Sequence, residues 1–189
     1  MTNLKKTLRD HMAAAFAIRR LGLKTRQTAS DGTQKFLFEL ADGKHIESVL
    51  IPERDHWTLC LSSQVGCAQD CRFCLTASGG FQRNLSPGEI LAQVRDIRQL
   101  CDHPERLTNL VFMGMGEPLA NYRSLISAIG LLQDNKVGFG FSKRKITVST
   151  AGLVPRMADL GRDTLPGNLL VHWPDASRLQ DDEQLHIGD

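Results

Sequence analysis

The amino-acid sequence predicts an α/β fold built on a parallel sheet, and three observations predict it. From Cys60 onward, short apolar runs of strand length alternate with amphipathic helical stretches, the pattern of strands crossed over by helices. A helix start is written out at "SPGEI", where Ser86 and Glu89 stand in capping-box spacing and Pro87 takes the first helical position;. Upstream, two Asp-Gly pairs punctuate apolar segments and predict tight hairpin turns;. Right-handed crossovers then give either an open α/β layer or part of a barrel. With 189 residues, 41% of them hydrophobic, the chain is long enough to bury a core of its own.

In chain order, Leu4 to Leu23 has helical spacing, and residues 33 to 51, between Asp31-Gly32 and Pro52 and turning at Asp42-Gly43, read as a small antiparallel β unit;. The segment "SPGEILAQVRDIRQL" sets Ile90, Leu91, Val94, Ile97 and Leu100 on one helical face;. "TNLVFM" at 108–113 is a continuous apolar strand, as expected where both faces are covered;. A helix carrying Tyr122, Leu125, Ile126, Ile129 and Leu132 follows, then "KITVST" as a strand, "PRMADL" as a short helix and "NLLVHW" as a strand. The expected organisation is a basic helical segment over 1–28, a β-hairpin unit over 29–56, an α/β core over 57–174 and an acidic tail over 175–189.

Charge is uneven. The total is +2, yet residues 1–26 hold seven Lys or Arg against Asp10 alone, and residues 175–189 hold five acids against Arg178. A basic end is the footprint of a polyanionic partner or, as commonly, a solvated helix face. The longest apolar run, "MAAAFAI" from Met12 to Ile18, has seven residues, well short of the ~18 that a membrane span requires. The five cysteines are an odd number without a secreted disulfide pattern, so a cytoplasmic, reducing location is expected.

Four of those cysteines, Cys60, Cys67, Cys71 and Cys74, fall within "CLSSQVGCAQDCRFC". The C-x3-C-x2-C of the last three lets thiolates converge from one loop. Three readings stand side by side: buried free cysteines, a zinc site completed by Cys60 or His56, and an iron-sulfur cluster with one iron left open. Gly66, expected to let the backbone approach the centre closely, and Gly79 and Gly80, expected to free the chain afterwards, favour the cluster, and no second cysteine or histidine pair of the kind zinc knuckles bring is evident;. Phe73 is placed either to lie against an adenine or to pack in the core.

These motifs carry a resemblance. "IESVLIPE" (46–53), "TLCLSSQVGCAQDCRFC" (58–74), "GFQRNLSPGEI" (80–90), "TNLVFMGMGEPLANY" (108–122) and "GFGFSKRKITVSTAGLVP" (138–155) occur in the order found in the RlmN/Cfr family of radical S-adenosylmethionine (SAM) RNA adenosine methyltransferases. The resemblance runs from about Ser30 to about Pro174. It implies a partial radical SAM (β/α)6-type barrel with about four of six strand-helix units, preceded by a short helix and the antiparallel β unit.

The resemblance also implies cofactors and roles. Cys67, Cys71 and Cys74 would hold a 4Fe-4S cluster whose fourth iron is chelated by SAM. Phe73, Gly116, Glu117, Ser149 and His172 would contact SAM, with Glu117 accepting from its amino group and Ser149 meeting its ribose. Glu47 would be the proton acceptor and Cys60 the thiol that resolves a protein–RNA crosslink. The implied partners are ribosomal or transfer RNA and an electron donor such as flavodoxin. "SKRK" at 142–145 is expected near the pocket, holding RNA phosphates.

The sequence also departs from the family. Leu170 stands where the family's "SLHAP" has serine, although His172 and Pro174 remain, and no cysteine follows Cys101. The methyl-carrying thiol of the family is therefore expected to be missing, the chain to be truncated relative to its family, and its activity alone to be in question. Self-association or a completing chain would cover the open side of a partial barrel. The other outcomes weighed are SAM cleavage for another substrate and a non-catalytic RNA-binding role.

Overall fold

The computed structural model describes residues 4–69, 71, 74–163 and 168–171. It opens with helix α1 (Lys6–Ala15), followed by strands β1 (Gly22–Thr28), β2 (Gln34–Glu39), β3 (His45–Pro52) and β4 (Trp57–Cys60). A two-residue pairing of β5 (Gln64–Val65) with β6 (Arg83–Asn84) frames the cysteine loop. Then come α2 (Pro87–Leu100), β7 (Leu107–Phe112), α3 (Tyr122–Gln133), β8 (Ile146–Thr150), α4 (Val154–Asp163) and β9 (Asn168–Val171).

One mixed sheet runs in the order β1-β2-β3-β4-β7-β8-β9. β1 to β4 pair antiparallel, whereas β4, β7, β8 and β9 are parallel. The fold is thus α/β with a partial, unclosed barrel of four parallel strands, as the resemblance implies. The antiparallel unit is hydrogen-bonded directly to the first parallel strand, so the two share a single sheet.

Local chemistry explains the predicted elements. Both Asp-Gly pairs turn the chain as expected: Asp31 accepts from the Thr33 N–H at 2.9 Å and Asp42 from the Lys44 N–H at 3.2 Å. At α2 the capping box forms, with the Glu89 N–H donating to Ser86 Oγ at 3.3 Å and the Ser86 N–H to Glu89 Oε2 at 2.9 Å;. The N-terminal reading needs correction. The stretch expected to be helical to Leu23 is helix only to Ala15, and Gly22–Thr28 is strand. All seven residues of β1 are exposed, so no alternation of apolar and polar residues marks it; its partner β2 supplies the order.

Register decides which face is core. Leu50, Leu59, Leu110 and Ile146 are successive cross-strand partners, and none is more than 2% exposed. Ile90, Val94 and Ile97 of α2 and Leu125, Ile129 and Leu132 of α3 belong to the same buried cluster. Each such side chain contributes about 1.5–3 kcal/mol on burial. The alternate residues, Val49, Cys60, Val111 and Thr147, are also partners across the strands and share the opposite face;.

A buried polar hub fixes the chain as it leaves β4. Gln93, fully buried on α2, accepts through Oε1 from Ser48 Oγ at 2.8 Å and from the Ser62 N–H at 2.9 Å. Its Nε2 donates to the Ser62 carbonyl at 2.9 Å. Gln93→Leu leaves the buried Ser62 N–H and C=O without partners and is expected to destabilise the fold by about 3 kcal/mol, read as a lower urea midpoint at unchanged slope.

Candidate functional site

Parallel α/β sheets bind ligands beyond the carboxyl ends of their strands, and here the segments leaving β4, β7 and β8 meet there. After β4, Leu61 to Val65 lies against the loop that follows β7. The Ser63 and Gln64 N–H groups both donate to the Met115 carbonyl, at 2.8 and 3.1 Å, and the Gly114 N–H donates to the Leu61 carbonyl at 3.0 Å. Ser62 Oγ accepts from the Met115 N–H at 2.9 Å and donates to the Glu47 carbonyl at 2.5 Å. Asn121 ties in a third segment, donating at 2.8 Å to the carbonyls of both Ser63 and Leu85.

Two glycines are demanded by this packing. Gly66 has φ +72°, and a Cβ there would lie 1.8 Å from the Gly80 carbonyl oxygen. The base of the cysteine loop closes at that contact, with the Cys67 N–H donating to the Gly80 carbonyl at 3.2 Å. Gly66 therefore serves the loop's neck and not the cluster face. Gly116 has φ +98°, and its Cβ would meet the Gln64 side chain at 2.4 Å.

A cavity of about 190 Å³ results, lined by Cys67, Cys71, Cys74, Gly116, Glu117 and Ser149 among others. Six residues singled out in the sequence thus share one wall-to-wall space. Glu117, 3% exposed, is already well engaged: Oε1 accepts from the Leu119 N–H at 2.9 Å and from Thr150 Oγ1 at 2.8 Å, and Oε2 accepts from the Ala151 N–H at 2.7 Å. A carboxylate offers about four acceptor sites, so it clamps the β7 and β8 loops together and retains room for a donor in the cavity. Thr150 and Ala151, which hold Glu117, and Gln64, which accepts from the Glu117 N–H at 2.8 Å, escaped sequence reasoning. Their signal is only adjacency to Ser149 and to Cys67.

The three thiols fit an iron-sulfur cluster. Burial pushes the pKa of Cys67 and Cys71 above the ordinary thiol value, and the negative charge of neighbouring thiolates and of Glu117 adds to the rise. A positive centre, which iron supplies, stabilises thiolates gathered in one place. The zinc reading loses its fourth ligand. Cys60 and His56 do not line the cavity, and His56 precedes β4, at the far end of that strand from the loop.

The remaining expectations divide. Glu47 lies on β3 near this end, but its carboxylate is partly exposed and paired with Lys35 at 3.2 Å, outside the cavity lining. Cys60 is buried on β4 beside the cavity wall. Burial pushes its thiol up to about 11, against the lowering effect of a hydrogen bond with the backbone of Met113, a lining residue. Phe73 and His172 lie outside the described residues. "SKRK" is not where it was expected: Lys143–Lys145 precede β8, whereas Ser149 is near its carboxyl end. Ser149 lies four residue steps along the strand from Lys145, roughly 13 Å, so these cations sit at the opposite end of the sheet from the thiols.

Residues 61–170 match the Radical SAM superfamily, and the chain belongs to it. Members bind a 4Fe-4S cluster and SAM, the two cofactors that the thiols and the cavity fit. More narrowly, the chain is 56% identical over 164 residues to a dual-specificity RNA methyltransferase RlmN of Desulfosudis oleivorans, covering 87% of this chain and 44% of that protein. Another RlmN, from Anaeromyxobacter sp. strain Fw109-5, is 51% identical and covers 100% of this chain and 51% of its own. The crystal structure of a radical SAM methyltransferase from Sphaerobacter thermophilus superposes with a TM-score of 0.82 at 42% identity, covering 90% of this chain and 50% of that one. The chain spans about half the length of the relatives it matches.

Two outcomes test this geometry. Gly116→Ala places a Cβ at a positive φ and into Gln64, and is expected to cost about 2 kcal/mol or more and to abolish SAM binding measured by calorimetry. For Cys60, the folded pKa of about 11 exceeds the ordinary value near 9, so the unfolded chain releases its proton first. The stabilisation is complete below pH 9 and lost between pH 9 and 11 by about 3 kcal/mol. Cys60→Ala is expected to flatten that alkaline loss in urea titrations run at successive pH values.

Proposed function

We propose that this chain serves radical SAM methylation of RNA of the RlmN/Cfr type, directed at an adenine carbon in ribosomal or transfer RNA. The observation that carries it is the single cavity joining Cys67, Cys71 and Cys74 to Glu117 and Ser149, together with relatives named RNA methyltransferase RlmN. The bound cluster and SAM supply one-electron cleavage of SAM. The chain's own residues position and shield. Cys67, Cys71 and Cys74 hold three irons; the free acceptor site of Glu117 takes the SAM amino group; the Ser149 hydroxyl meets the ribose.

Gly116 lets its loop pack closely against Gln64, and the buried Phe112 backs the cavity. Glu47, on the sheet face of Cys60 by register, is the proton acceptor. Its accessibility suits an RNA base brought in from solvent. Cys60 would be the resolving thiol; the disulfide it would form needs a second, methyl-carrying cysteine from a completing chain, and its cover by Met113 must open. An electron donor such as flavodoxin, a cytoplasmic setting, and association with another copy or chain complete the reading.

Under oxygen-free reconstitution the chain is expected to take up the iron and acid-labile sulfide of one 4Fe-4S cluster, and Cys67→Ser, Cys71→Ser or Cys74→Ser to lose it. On reduction with SAM it releases 5'-deoxyadenosine. Methylated adenine in added RNA supports the full reading, and release without RNA methylation moves the radical to another substrate. A colourless protein that binds zinc overturns both.

A further inference from the structure

The end of the sheet away from the thiols holds a second, larger cavity of about 540 Å³, whose lining includes Arg98, Glu105, Phe141, Ser142 and Lys145. Its walls come from the C-terminal part of α2 and the segments that precede β7 and β8. No role in the radical chemistry reaches it, because the cluster cavity lies beyond the other ends of the same strands.

Arg98 is the unusual element. Its guanidinium lies over the Phe141 ring at 4.6 Å and the Phe139 ring at 5.6 Å, and its Nε is buried without a hydrogen-bond partner. No ion pair of Arg98 occurs among the described residues, and burial pulls its pKa below the ordinary arginine value. A half-buried, ring-stacked cation without an acceptor is costly to leave unmatched. Stacking also fixes the guanidinium plane, which favours bidentate contact with a flat or tetrahedral oxyanion. Lys145, exposed at the rim, adds a second cation, and the Ser142 hydroxyl adds a neutral donor. The lining also holds one acid, Glu105, whose Oε1 lies 3.3 Å from His103 Nδ1 in an exposed contact, so two cations stand against one carboxylate there.

We infer that this cavity binds the phosphate of a nucleotide-sized ligand, held by Arg98, Lys145 and Ser142. The volume is in the range that encloses a small molecule, far more than a bare phosphate fills, so a phosphate ester on a larger body is the class that fits. That phosphate comes either from a free nucleotide or from an RNA backbone. The site goes beyond the radical reading and does not depend on it.

The test uses uridine monophosphate, inorganic phosphate and a fluorescent oligouridylate, ligands without adenine that do not compete for a SAM pocket. Binding to the full chain is followed by calorimetry and anisotropy, the ligands being compared at matched ionic strength and oligouridylate also across a chloride series, with chloride as the control. Uridine monophosphate is expected to bind, with affinity falling about tenfold in Lys145→Ala and further in Arg98→Met, a change that keeps an apolar stem against the phenylalanines. Circular dichroism checks folding, and if Arg98→Met unfolds, Lys145→Ala alone decides. Tighter, steeply salt-dependent binding of oligouridylate identifies the RNA backbone as the source; equal or weaker binding identifies a free nucleotide. Cys67→Ser is expected to bind as the unaltered chain does, which separates this site from the cluster. No response above chloride, or equal affinity in Lys145→Ala and in folded Arg98→Met, overturns the proposal.

Discussion

Everything at the cysteine end of the molecule hangs on the pair of hydrogen bonds between the Gln93 side chain and the backbone of Ser62. A strand leaving a parallel sheet normally loses its ladder partners at its last residue. Here a buried amide on α2 supplies them, and the chain stays in register through Leu61 to Val65. That extension lets Met115 and Gly114 zip onto it, lets Gln64 meet the backbone of Glu117, and gives Cys67 a fixed point of departure. A buried amide can do this because all its polar atoms are matched; half matched, the same residue would weaken the core.

The cavity shows how two loops with little regular structure are made rigid. The Gly66–Gly80 contact closes one as a neck, and the Glu117 carboxylate stitches the other to the end of β8 through three hydrogen bonds. Glu117 thereby links support and ligand recognition in one side chain. It also places a negative charge beside the thiols, an environment that favours a positively charged iron–sulfide core between them. The tolerance for a metal-free trio is low for the same electrostatic reason that the affinity for a positive centre is high.

Much of this was legible in the sequence, because some signals are local. The capping box at Ser86, the Asp-Gly turns and the thiol spacing each name their own geometry within a few residues. What stayed hidden depends on distant partners. Gln93 and Asn121 look like ordinary polar helix and turn residues until Ser62 and Ser63 are laid beside them. β1 shows no burial pattern to read. For "SKRK", nearness to Ser149 in sequence is not nearness in space, because a strand carries its two ends apart. The shared face of Cys60 and Glu47 follows from cross-strand register, which a single strand does not disclose.

The tip of the β2–β3 hairpin is fastened to the rest by one guanidinium. Arg83 bridges Asp42 at 2.7 Å and Glu89 at 2.8 Å, with Lys44 reaching Gln82 at 2.7 Å beside it. Beneath this clasp, between the hairpin and the turn at Leu75–Gly79, lies an open cleft beside the cysteine loop. The clasp is made of partly exposed charges, so dissolved electrolyte weakens it while leaving the apolar layers untouched. The hairpin tip that lines that cleft is therefore joined to the core through a contact that dissolved ions loosen;.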